Sequence, residues 1–218
     1  DVFGQMALDE ALAKSKPDAF CLRFFRWQGV GATFGYAQRI REVEKALPGD
    51  IGKFYTRRPT GGGLVPHLDD LTFSCVFPEE RTLRPTDLYR RLHSAVLRGL
   101  REIGLEARLC ATDRGASPPG AGGASQCFVQ PVMLDILTAA GKILGGAVRR
   151  SGNTVLYQGS LQLADARARA GLLEAAIGRA LAAEWTLQWE QKRPASAVQD
   201  EADALEAKYR SEEWIRRR

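Results

Sequence analysis

The chain has 218 residues, of which 44% are hydrophobic and 26% charged, the composition of a globular protein with a sizeable core. No run approaches the ~18 to 20 apolar residues that a membrane span needs, and we interpret residues 1–218 as one domain. The net charge of +5 suits an acidic protein partner as well as nucleic acid, but no nucleic-acid recognition motif accompanies it. We therefore expect neither nucleic-acid nor membrane binding.

The four cysteines are scattered along the sequence and form no CxxC pair: Cys21, Cys75, Cys110 and Cys127. This spacing argues against a disulfide framework and a zinc site, and the two histidines are too few for a histidine-rich metal site. We expect reduced thiols, a cytoplasmic protein and no bound metal. The chain begins at Asp1 rather than at Met, and we expect further residues before it.

The first third of the chain alternates helical and strand-like segments. Apolar residues at near-helical spacing predict a helix in GQMALDEALAKS, ended by Pro17. Strands are predicted in AFCLRFFRW and GVGATFGYAQ, followed by a short helix in REVEKAL. Two further strand-like segments, IGKFYTRR and LDDLTFSCVF, flank a glycine run at residues 61–63.

The remaining two thirds contain the clearest helix and a series of strands. TDLYRRLHSAVLRGLREIGL has one apolar stripe, with Thr86 or Asp87 as the predicted N-cap and Gly104 as the stop. After the low-complexity residues 113–126, an antiparallel meander is predicted in VMLDILTA, KILGGAVRR and NTVLYQGSLQL. Two helices follow, in RAGLLEAAIGRALAAEW and ADALEAKYRSEEW. Consecutive strands predict an α+β fold, a mixed α/β arrangement with a largely antiparallel sheet flanked by helices.

The segment RRPTGGGLVPH, residues 57–67, contains three consecutive glycines, whose presence needs an explanation. Glycine is costly to order, so such a run indicates either a flexible linker or backbone that must bend unusually or be touched closely. Because the run is short and lies between strands, we interpret it as the wall of a site. It lacks the Lys-Ser/Thr of a P-loop and the spacing of a dinucleotide motif, although its N–H groups suit an anion.

Cys127 and Lys142 are candidates for chemistry. Cys127 follows a loop, where a thiol is accessible, whereas Cys21, Cys75 and Cys110 are interpreted as inert. Lys142 opens a strand in GKILGGA, whose paired glycines indicate close packing against its backbone. In a hairpin Lys142 pairs with residue 137 or 138, which leaves Cys127 about ten residues upstream, up to ~33 Å away. A loop folded back would bring the two together, and the ammonium would then lower the thiol pKa.

Several motifs, in order, resemble the lipoate–protein ligase and octanoyltransferase family, which is related to biotin–protein ligase: MALDEAL, LRFFRW, TFGYAQ, RRPTGGGLVPHLDDLTFS, CF, GKILGGAVRR, GSLQL and KYRSEEW. The resemblance implies the family's mainly antiparallel sheet and a tunnel for a fatty-acyl chain. It places the substrate-binding residues at Arg58, Thr60, Gly61, Gly62, Gly63, His67, Gly145, Gly146 and Ala147. Lys142 falls on the active-site lysine.

The CF pair before the GK lysine resembles the cysteine-dependent octanoyltransferase branch. The resemblance implies that Cys127 takes an octanoyl or lipoyl group from acyl carrier protein as a thioester. The group then passes to a lysine of a lipoyl-domain protein, such as a glycine cleavage H protein or a dehydrogenase E2. No cofactor is tightly bound in this reaction, and Lys142 stabilises the oxyanion. Lipoate ligases commonly carry an additional C-terminal domain, for which 218 residues leave no room.

The sequence also departs from the family pattern. Leu64 replaces an alanine, Pro66 precedes His67, and Asp69-Asp70 stands where Gly-Glu is frequent. The usual GSAQ is GGAV, with Gly146 and Val148, and the expected QHGS is YQGS. Two alternatives therefore stay open. One is an ATP- and Mg-dependent lipoate ligase, and the other is a catalytically silent homologue that binds acyl chains or carrier proteins.

Overall fold

Two β-sheets and six α-helices form the part of the chain that the computed structural model describes, residues 1–79, 83–112 and 131–217. The strands are β1 (Cys21–Phe24), β2 (Gly31–Phe34), β3 (Tyr55–Arg57), β4 (Leu64–His67), β5 (Leu71–Pro78), β6 (Arg108–Leu109), β7 (Ile136–Thr138), β8 (Gly141–Ser151) and β9 (Thr154–Leu161). The helices are α1 (Val2–Lys14), α2 (Ile40–Ala46), α3 (Pro85–Glu102), α4 (Ala170–Trp185), α5 (Ser196–Arg210) and α6 (Glu212–Arg216), with a 3₁₀ turn at Gly49–Ile51.

The larger sheet has six strands in the order β1-β5-β9-β8-β7-β6, and its neighbouring strands are antiparallel. This confirms the predicted fold class and the β7-β8-β9 meander. The smaller sheet has the order β3-β2-β4, with β2 and β3 parallel and β2 and β4 antiparallel. This second sheet and its parallel pair were not predicted.

The six-stranded sheet is buried on both faces, and the two faces differ in chemistry. Side chains alternate along a strand, so Phe73 and Tyr157 point toward α3 and α4 in the main apolar core. Ser74 and Gln158 lie on the opposite face, where both hydrogen-bond to Asp9 of α1. Every residue of β9 is buried. The polar face therefore needs partners for each of its buried polar groups.

A second apolar cluster joins α1 to α5 and α6, which closes the chain end over the smaller sheet. Asp1 caps α1 by accepting hydrogen bonds from the N–H groups of Phe3 and Gly4, at 3.1 and 3.0 Å. The prediction of one helix over ADALEAKYRSEEW was wrong, because the backbone is extended at Ser211 (ψ 139°) between α5 and α6. The Ser211 hydroxyl accepts from the Trp214 N–H at 3.2 Å and so begins α6.

The predicted N-cap of α3 was also wrong. The helix begins at Pro85, and its N-cap residue is Arg84, two residues before Thr86 and three before Asp87, without a side-chain cap bond. Proline suits the first helical position because its φ is already helical and it has no N–H to satisfy. Asp87 instead pairs with Arg84 at 2.7 Å. The predicted stop is confirmed, since Gly104 follows the helix with a φ of +83°.

Several predicted strands are shorter than expected; GVGATFGYAQ contributes Gly31–Phe34 and IGKFYTRR contributes Tyr55–Arg57. Of AFCLRFFRW, Cys21–Phe24 form the strand, and of VMLDILTA, Ile136–Thr138 do. The strand in VMLDILTA begins late because Leu134 has a φ of +74°, which no strand residue adopts. Cys75 and Cys110 are buried as expected, whereas Cys21 is half-buried. No helix among the described residues is long and apolar enough to cross a membrane.

Close packing of α3 on α4 depends on a glycine. A Cβ added to Gly99 would lie 2.5 Å from the Ala176 carbonyl oxygen. We predict that Gly99→Ala lowers the free energy of unfolding by about 1–3 kcal/mol, because the overpacking exceeds the gain in helix propensity. Urea denaturation measures the change. The matched control is Gly178→Ala in α4, where the nearest atom is 3.8 Å away; it should stabilise by up to about 1 kcal/mol. Equal effects of the two substitutions would contradict the packing argument.

Candidate active site

A narrow cavity of about 30 Å³ lies between the polar face of the six-stranded sheet, the smaller sheet and α1. This is room for about two water molecules. Five of the predicted substrate-binding residues are in its wall: Arg58, His67, Gly145, Gly146 and Ala147. The wall also contains residues that were not predicted, among them Met6, Thr33, Gln158 and Ser160.

The three glycines of the loop lie beside this cavity rather than in its wall. Gly62 has a φ of +91°, which favours glycine. The loop also packs against Gly35, where a Cβ would lie 1.9 Å from the Gly62 carbonyl oxygen. Gly61 and Gly62 are exposed and Gly63 is buried. The run therefore lets the loop turn tightly against Gly35, the residue that follows β2.

Two adjacent arginines hold the loop and the chain end. The Arg58 guanidinium donates to the carbonyls of Gly61 and Gly63, at 2.7 and 2.9 Å. Arg57 is fully buried and donates to the carbonyls of Tyr36 (2.6 Å) and Ile215 (2.8 Å), at the end of the chain. Arg58 therefore belongs to the cavity, whereas Arg57 fastens α6 to β3.

Lys142 forms a buried ion pair. Its Nζ lies 2.8 Å from Asp135 Oδ2, and the two side chains are 2% and 0% exposed. The other carboxylate oxygen accepts from the Tyr89 hydroxyl at 3.0 Å, and the Val132 N–H donates to Oδ2 at 2.8 Å. Removing one member of such a pair would leave a buried charge unpartnered. The lysine is therefore fixed in place as a cation.

A register shift directs Lys142 toward the cavity wall. Leu137 pairs with Lys142, as predicted, but Ile136 pairs with Leu144, so one residue of β8 is extra. Such a β-bulge re-aims the side chains around it. The Lys142 side chain lies over Gly145, three residues farther along β8, where a Cβ would lie 2.6 Å from both Cε and Nζ. Gly145 thus supplies the space that the lysine occupies.

The turn before β7 keeps Asp135 in position. His93 of α3 bonds the Leu134 carbonyl through Nδ1 at 2.7 Å and the Tyr157 hydroxyl through Nε2 at 2.8 Å. Burial lowers the pKa of His93 to about 3; the bond to Leu134 opposes that shift, and the Lys142 charge adds to it. Burial also raises the pKa of the Tyr157 hydroxyl far above its ordinary value. A neutral His93 thereby fastens the strained residue next to Asp135.

His67 is held by a separate set of polar groups. Its Nδ1 lies 2.8 Å from Asp70 Oδ2, and its Nε2 lies 2.9 Å from Thr33 Oγ1. The Trp27 ring stacks on the imidazole with a centroid distance of 4.3 Å. These contacts therefore restrict rotation of the His67 imidazole at the cavity wall.

Thr60 reaches the cavity through Gln158. Its hydroxyl donates to Gln158 Oε1 at 2.7 Å, and Gln158 Nε2 donates to Asp9 Oδ2, also at 2.7 Å. Burial raises the pKa of Asp9, and the charge of Arg23 and the bonds from Ser74 and Gln158 offset part of that rise. This chain of bonds joins the glycine loop to α1 across the sheet.

Comparison with known proteins is consistent with this architecture. Residues 1–208 match the lipoyl protein ligase A/B catalytic domain. The chain belongs to this family. It is 33% identical over 175 residues to an octanoyltransferase LipM from Moorella thermoacetica, covering 75% of this chain and 62% of that protein. The chain thus spans about three fifths of the length of this curated relative.

Solved structures share the fold. A Thermoplasma acidophilum protein with bound lipoic acid has a TM-score of 0.82 and 23% identity, covering 100% of this chain and 95% of the other. A bipartite lipoate protein ligase from the same organism, studied with its E2 lipoyl domain, has a TM-score of 0.74 and 21% identity, covering 99% and 91%. The fold expected from the motifs is therefore that of the lipoyl ligase family.

The predicted catalytic pair is described in part. Cys127 lies outside the described residues, so its approach to Lys142 stays a prediction. Lys142 lies beside Gly145, which is in the cavity wall, but is not itself one of the wall residues, so its catalytic role also stays a prediction. Among residues 1–79, 83–112 and 131–217, no group of three metal-ligating side chains is close enough to hold a metal ion.

Several residues of the site were missed in the sequence. Asp135 is a lone acid within the apolar run VMLDILTA, and Asp9 is a lone acid on the buried face of α1. An acid in such a setting is expected to be paired, which is a usable signal. Thr33 and Tyr89 gave no such signal, because a threonine in a strand and a tyrosine in a helix are ordinary.

Gly145→Ala tests the path of the Lys142 side chain. We predict a loss of stability of about 1–3 kcal/mol, since the added Cβ displaces Lys142 Cε and Nζ and so disturbs the buried ion pair with Asp135. The displaced amine should react faster with an amine-acylating reagent, as followed by peptide mass spectrometry at Lys142. Gly141→Ala would be strained whatever the space, because of its φ of +130°, so Gly171→Ala, in open space on α4, is the control. Unchanged labelling of Lys142 in Gly145→Ala would refute the packing of the lysine on Gly145.

His93 makes stability depend on pH. The unfolded histidine takes up a proton below its ordinary pKa of 6.5, whereas the folded one resists it until about 3. The free energy of unfolding should therefore fall as pH falls from 6.5, by up to ~1.4 kcal/mol for each pH unit. We predict that His93→Gln removes this contribution between pH 6.5 and 5. Urea titrations of both proteins across that window measure it. Parallel pH slopes for wild type and His93→Gln would be inconsistent with this assignment.

Proposed function

We propose that this chain is the catalytic domain of an acyltransferase. It moves an octanoyl or lipoyl group from acyl carrier protein, through a thioester on Cys127, to a lysine of a lipoyl-domain protein. In the first step the Cys127 thiolate attacks the donor thioester carbonyl, and the carrier's thiolate leaves. In the second, the acceptor amine attacks the Cys127 thioester, an amide bond forms as the nitrogen loses a proton, and Cys127 leaves as the thiol, taking up that proton.

The observation that carries the proposal is the ion-paired Lys142, whose Cε and Nζ occupy the space over Gly145, a residue of the cavity wall. Both steps develop negative charge on the acyl carbonyl oxygen. A cation that is already oriented, in a site without bulk water, stabilises such an oxyanion without reorganising. The name of the curated relative, an octanoyltransferase, agrees with this chemistry.

Chain connectivity is compatible with Cys127 acting beside Lys142. The Val132 N–H bonds the same Asp135 oxygen as Lys142 does. Cys127 is five residues before Val132, a reach of at most about 18 Å. At the other end of that segment, Cys110 and Asp135 are joined by a backbone hydrogen bond of 2.7 Å. The described residues on either side of this segment, Cys110 and Val132, thus both bond to Asp135, the partner of Lys142.

The cavity suits an acyl chain if its wall moves. Its volume of about 30 Å³ is small for eight carbons, but Met6 is in the wall and methionine rearranges readily. Gly145, Gly146 and Ala147 offer a wall with little side chain. We place the acyl chain along this strand, between β8 and the smaller sheet.

Charge on the surface favours acidic protein partners. A second pocket of about 260 Å³ lies farther along the same sheet face and includes Lys14, Lys16 and Arg149. Arg149 donates to the Pro59 carbonyl at 3.0 Å, which places its charge beside the glycine loop. With the net charge of +5, this edge suits an acidic carrier or lipoyl domain. Free thiols at Cys21, Cys75 and Cys110 fit a reducing cytoplasm.

Intact mass spectrometry after incubation with octanoyl-carrier protein, without ATP, tests the proposal. Wild type should gain one octanoyl unit that hydroxylamine removes, and Cys127→Ser should gain none. Cys21→Ser is the matched control, since that thiol is half-buried on the far edge strand β1; it should acylate like wild type. The acyl-enzyme should then transfer the unit to a lipoyl-domain protein.

The contrary outcomes identify the alternatives. An adduct that persists in Cys127→Ser would place the nucleophile elsewhere. No adduct on wild type would reject the transferase reaction for octanoate. Lipoylation of the acceptor that requires ATP, Mg²⁺ and free lipoate would then indicate a ligase, and carrier binding without transfer would indicate a silent homologue.

A further inference from the structure

Three buried polar side chains form a continuous hydrogen-bonded series at the cavity wall. Thr33 Oγ1 lies 2.9 Å from His67 Nε2, and His67 Nδ1 lies 2.8 Å from Asp70 Oδ2. Thr33 and His67 are both in the wall, and all three residues are at most 2% exposed. A hydroxyl, an imidazole and a carboxylate in this order can pass a proton inward from the cavity.

The neighbours of Asp70 fix the direction of this series. Burial raises the pKa of the Asp70 carboxyl, but the His67 ring and the bonds from Thr72 and Ser160 outweigh burial and leave the pKa below its ordinary value. An ionised carboxylate accepts only, so His67 Nδ1 carries the hydrogen. In the neutral imidazole Nε2 then has the lone pair, and the Thr33 hydroxyl donates to it. The arrangement is that of a base ready to accept a proton.

The two carboxylate oxygens of Asp70 are used unequally: one accepts several hydrogen bonds and the other accepts none from the described residues. A purely structural network would not favour this distribution. Thr72 and Ser160 donate to Oδ2, at 2.5 and 2.7 Å, the same oxygen that faces His67. Oδ1 is buried without a hydrogen-bond partner among the described residues. Such an unsatisfied atom costs stability. Concentrating three bonds on one oxygen orients the carboxylate toward the imidazole at that cost.

The proposed acyl transfer needs a proton acceptor that Lys142 does not supply. The attacking lysine of the acceptor is an ammonium near neutral pH and must lose a proton before it attacks. Lys142, as the cation of a buried ion pair with Asp135, has no lone pair to receive that proton. His67 has a ring nitrogen that can accept a proton, and it lines the same cavity wall as Gly145, the residue beneath Lys142.

We propose that Thr33, His67 and Asp70 form the proton relay of the amide-forming step, an inference that rests on the proposed function. The acceptor ammonium gives a proton to Thr33 Oγ1 as the Thr33 hydroxyl proton passes to His67 Nε2. The amine lone pair then forms the C–N bond; the C–S bond breaks as the nitrogen gives its second proton to the departing Cys127 sulfur, and the imidazolium returns the first proton to solvent. Asp70 is a positioning residue that stabilises the imidazolium.

The charged groups around His67 set the direction of its pH response. Asp70 follows on the same turn, Arg58 donates to the Thr33 carbonyl at 3.1 Å, and the Arg167 guanidinium donates to the His67 carbonyl at 2.8 Å. Thr33 of β2 and Ser160 of β9 are uncharged. Replacing Asp70 with asparagine leaves the two cations, so the imidazole becomes harder to protonate and the acidic limb of the rate moves to lower pH.

Single-turnover transfer from isolated octanoyl-enzyme to a lipoyl domain, measured from pH 5 to 9, tests the relay. Starting from acyl-enzyme separates this step from thioester formation. We expect Thr33→Val, which is isosteric, to slow transfer by about 10²-fold and Thr33→Ser to restore it. Asp70→Asn should slow transfer and shift the acidic limb downward. Thermal unfolding of each variant checks that it is folded.

A second measurement does not depend on activity. Ring ¹⁵N shifts of His67 should report a hydrogen on Nδ1 in wild type and in Thr33→Val, and a mixture of tautomers in Asp70→Asn. With two histidines in the chain, His93→Gln assigns the signals. Transfer by Thr33→Val and Asp70→Asn at the wild-type rate, with unchanged pH profiles, would overturn the relay while leaving the transferase intact. Failure of wild type to form acyl-enzyme would overturn both.

Discussion

The ion pair of Lys142 with Asp135 is the constraint around which the site is arranged. Burying two charges is unfavourable unless each finds a close partner and further hydrogen bonds. Asp135 meets this condition through Tyr89 and the Val132 N–H. The turn that presents Asp135 holds Leu134 at a φ of +74°, a strained conformation that persists because His93 grips its carbonyl. Helix α3, the turn before β7 and the bulge in β8 thus all help to position Lys142.

The two faces of the larger sheet divide stability from chemistry. The apolar face, packed on α3 and α4, supplies the main core. The other face carries polar side chains that are buried and bonded across to α1 and the smaller sheet. Hydrogen bonds in such a low-dielectric setting hold side chains in single positions. The same face therefore gives a rigid wall on one side of the cavity, with Met6 of α1 as its adaptable part.

Much of the fold follows from periodicity, and less of the site does. The stripe of α3, the β7-β8-β9 meander and the pairing of Lys142 with residue 137 are local patterns, and all are confirmed. The bulge, the strained Leu134 and the ion pair with Asp135 depend on contacts between segments distant in sequence. The periodicity of a sequence segment gives no information about such long-range contacts. Arg58 and His67 were placed by motif, but the partners of His67 emerged from the pairing of β2 with β4.

The departures from the family pattern separate into two kinds once their surroundings are known. A Cβ on Gly146 would lie 2.4 Å from the Tyr157 ring and hydroxyl, so the glycine and the tyrosine fit each other. Val148 pairs with Tyr157 across the sheet and packs on the apolar core. These departures form one local repacking on the apolar face of the sheet, and Gly146 contributes only its backbone to the cavity wall. Gln158 and Asp70 differ, because their bonds run to the glycine loop and to His67. A change of substrate or rate should therefore originate at these two residues rather than at Gly146 or Val148.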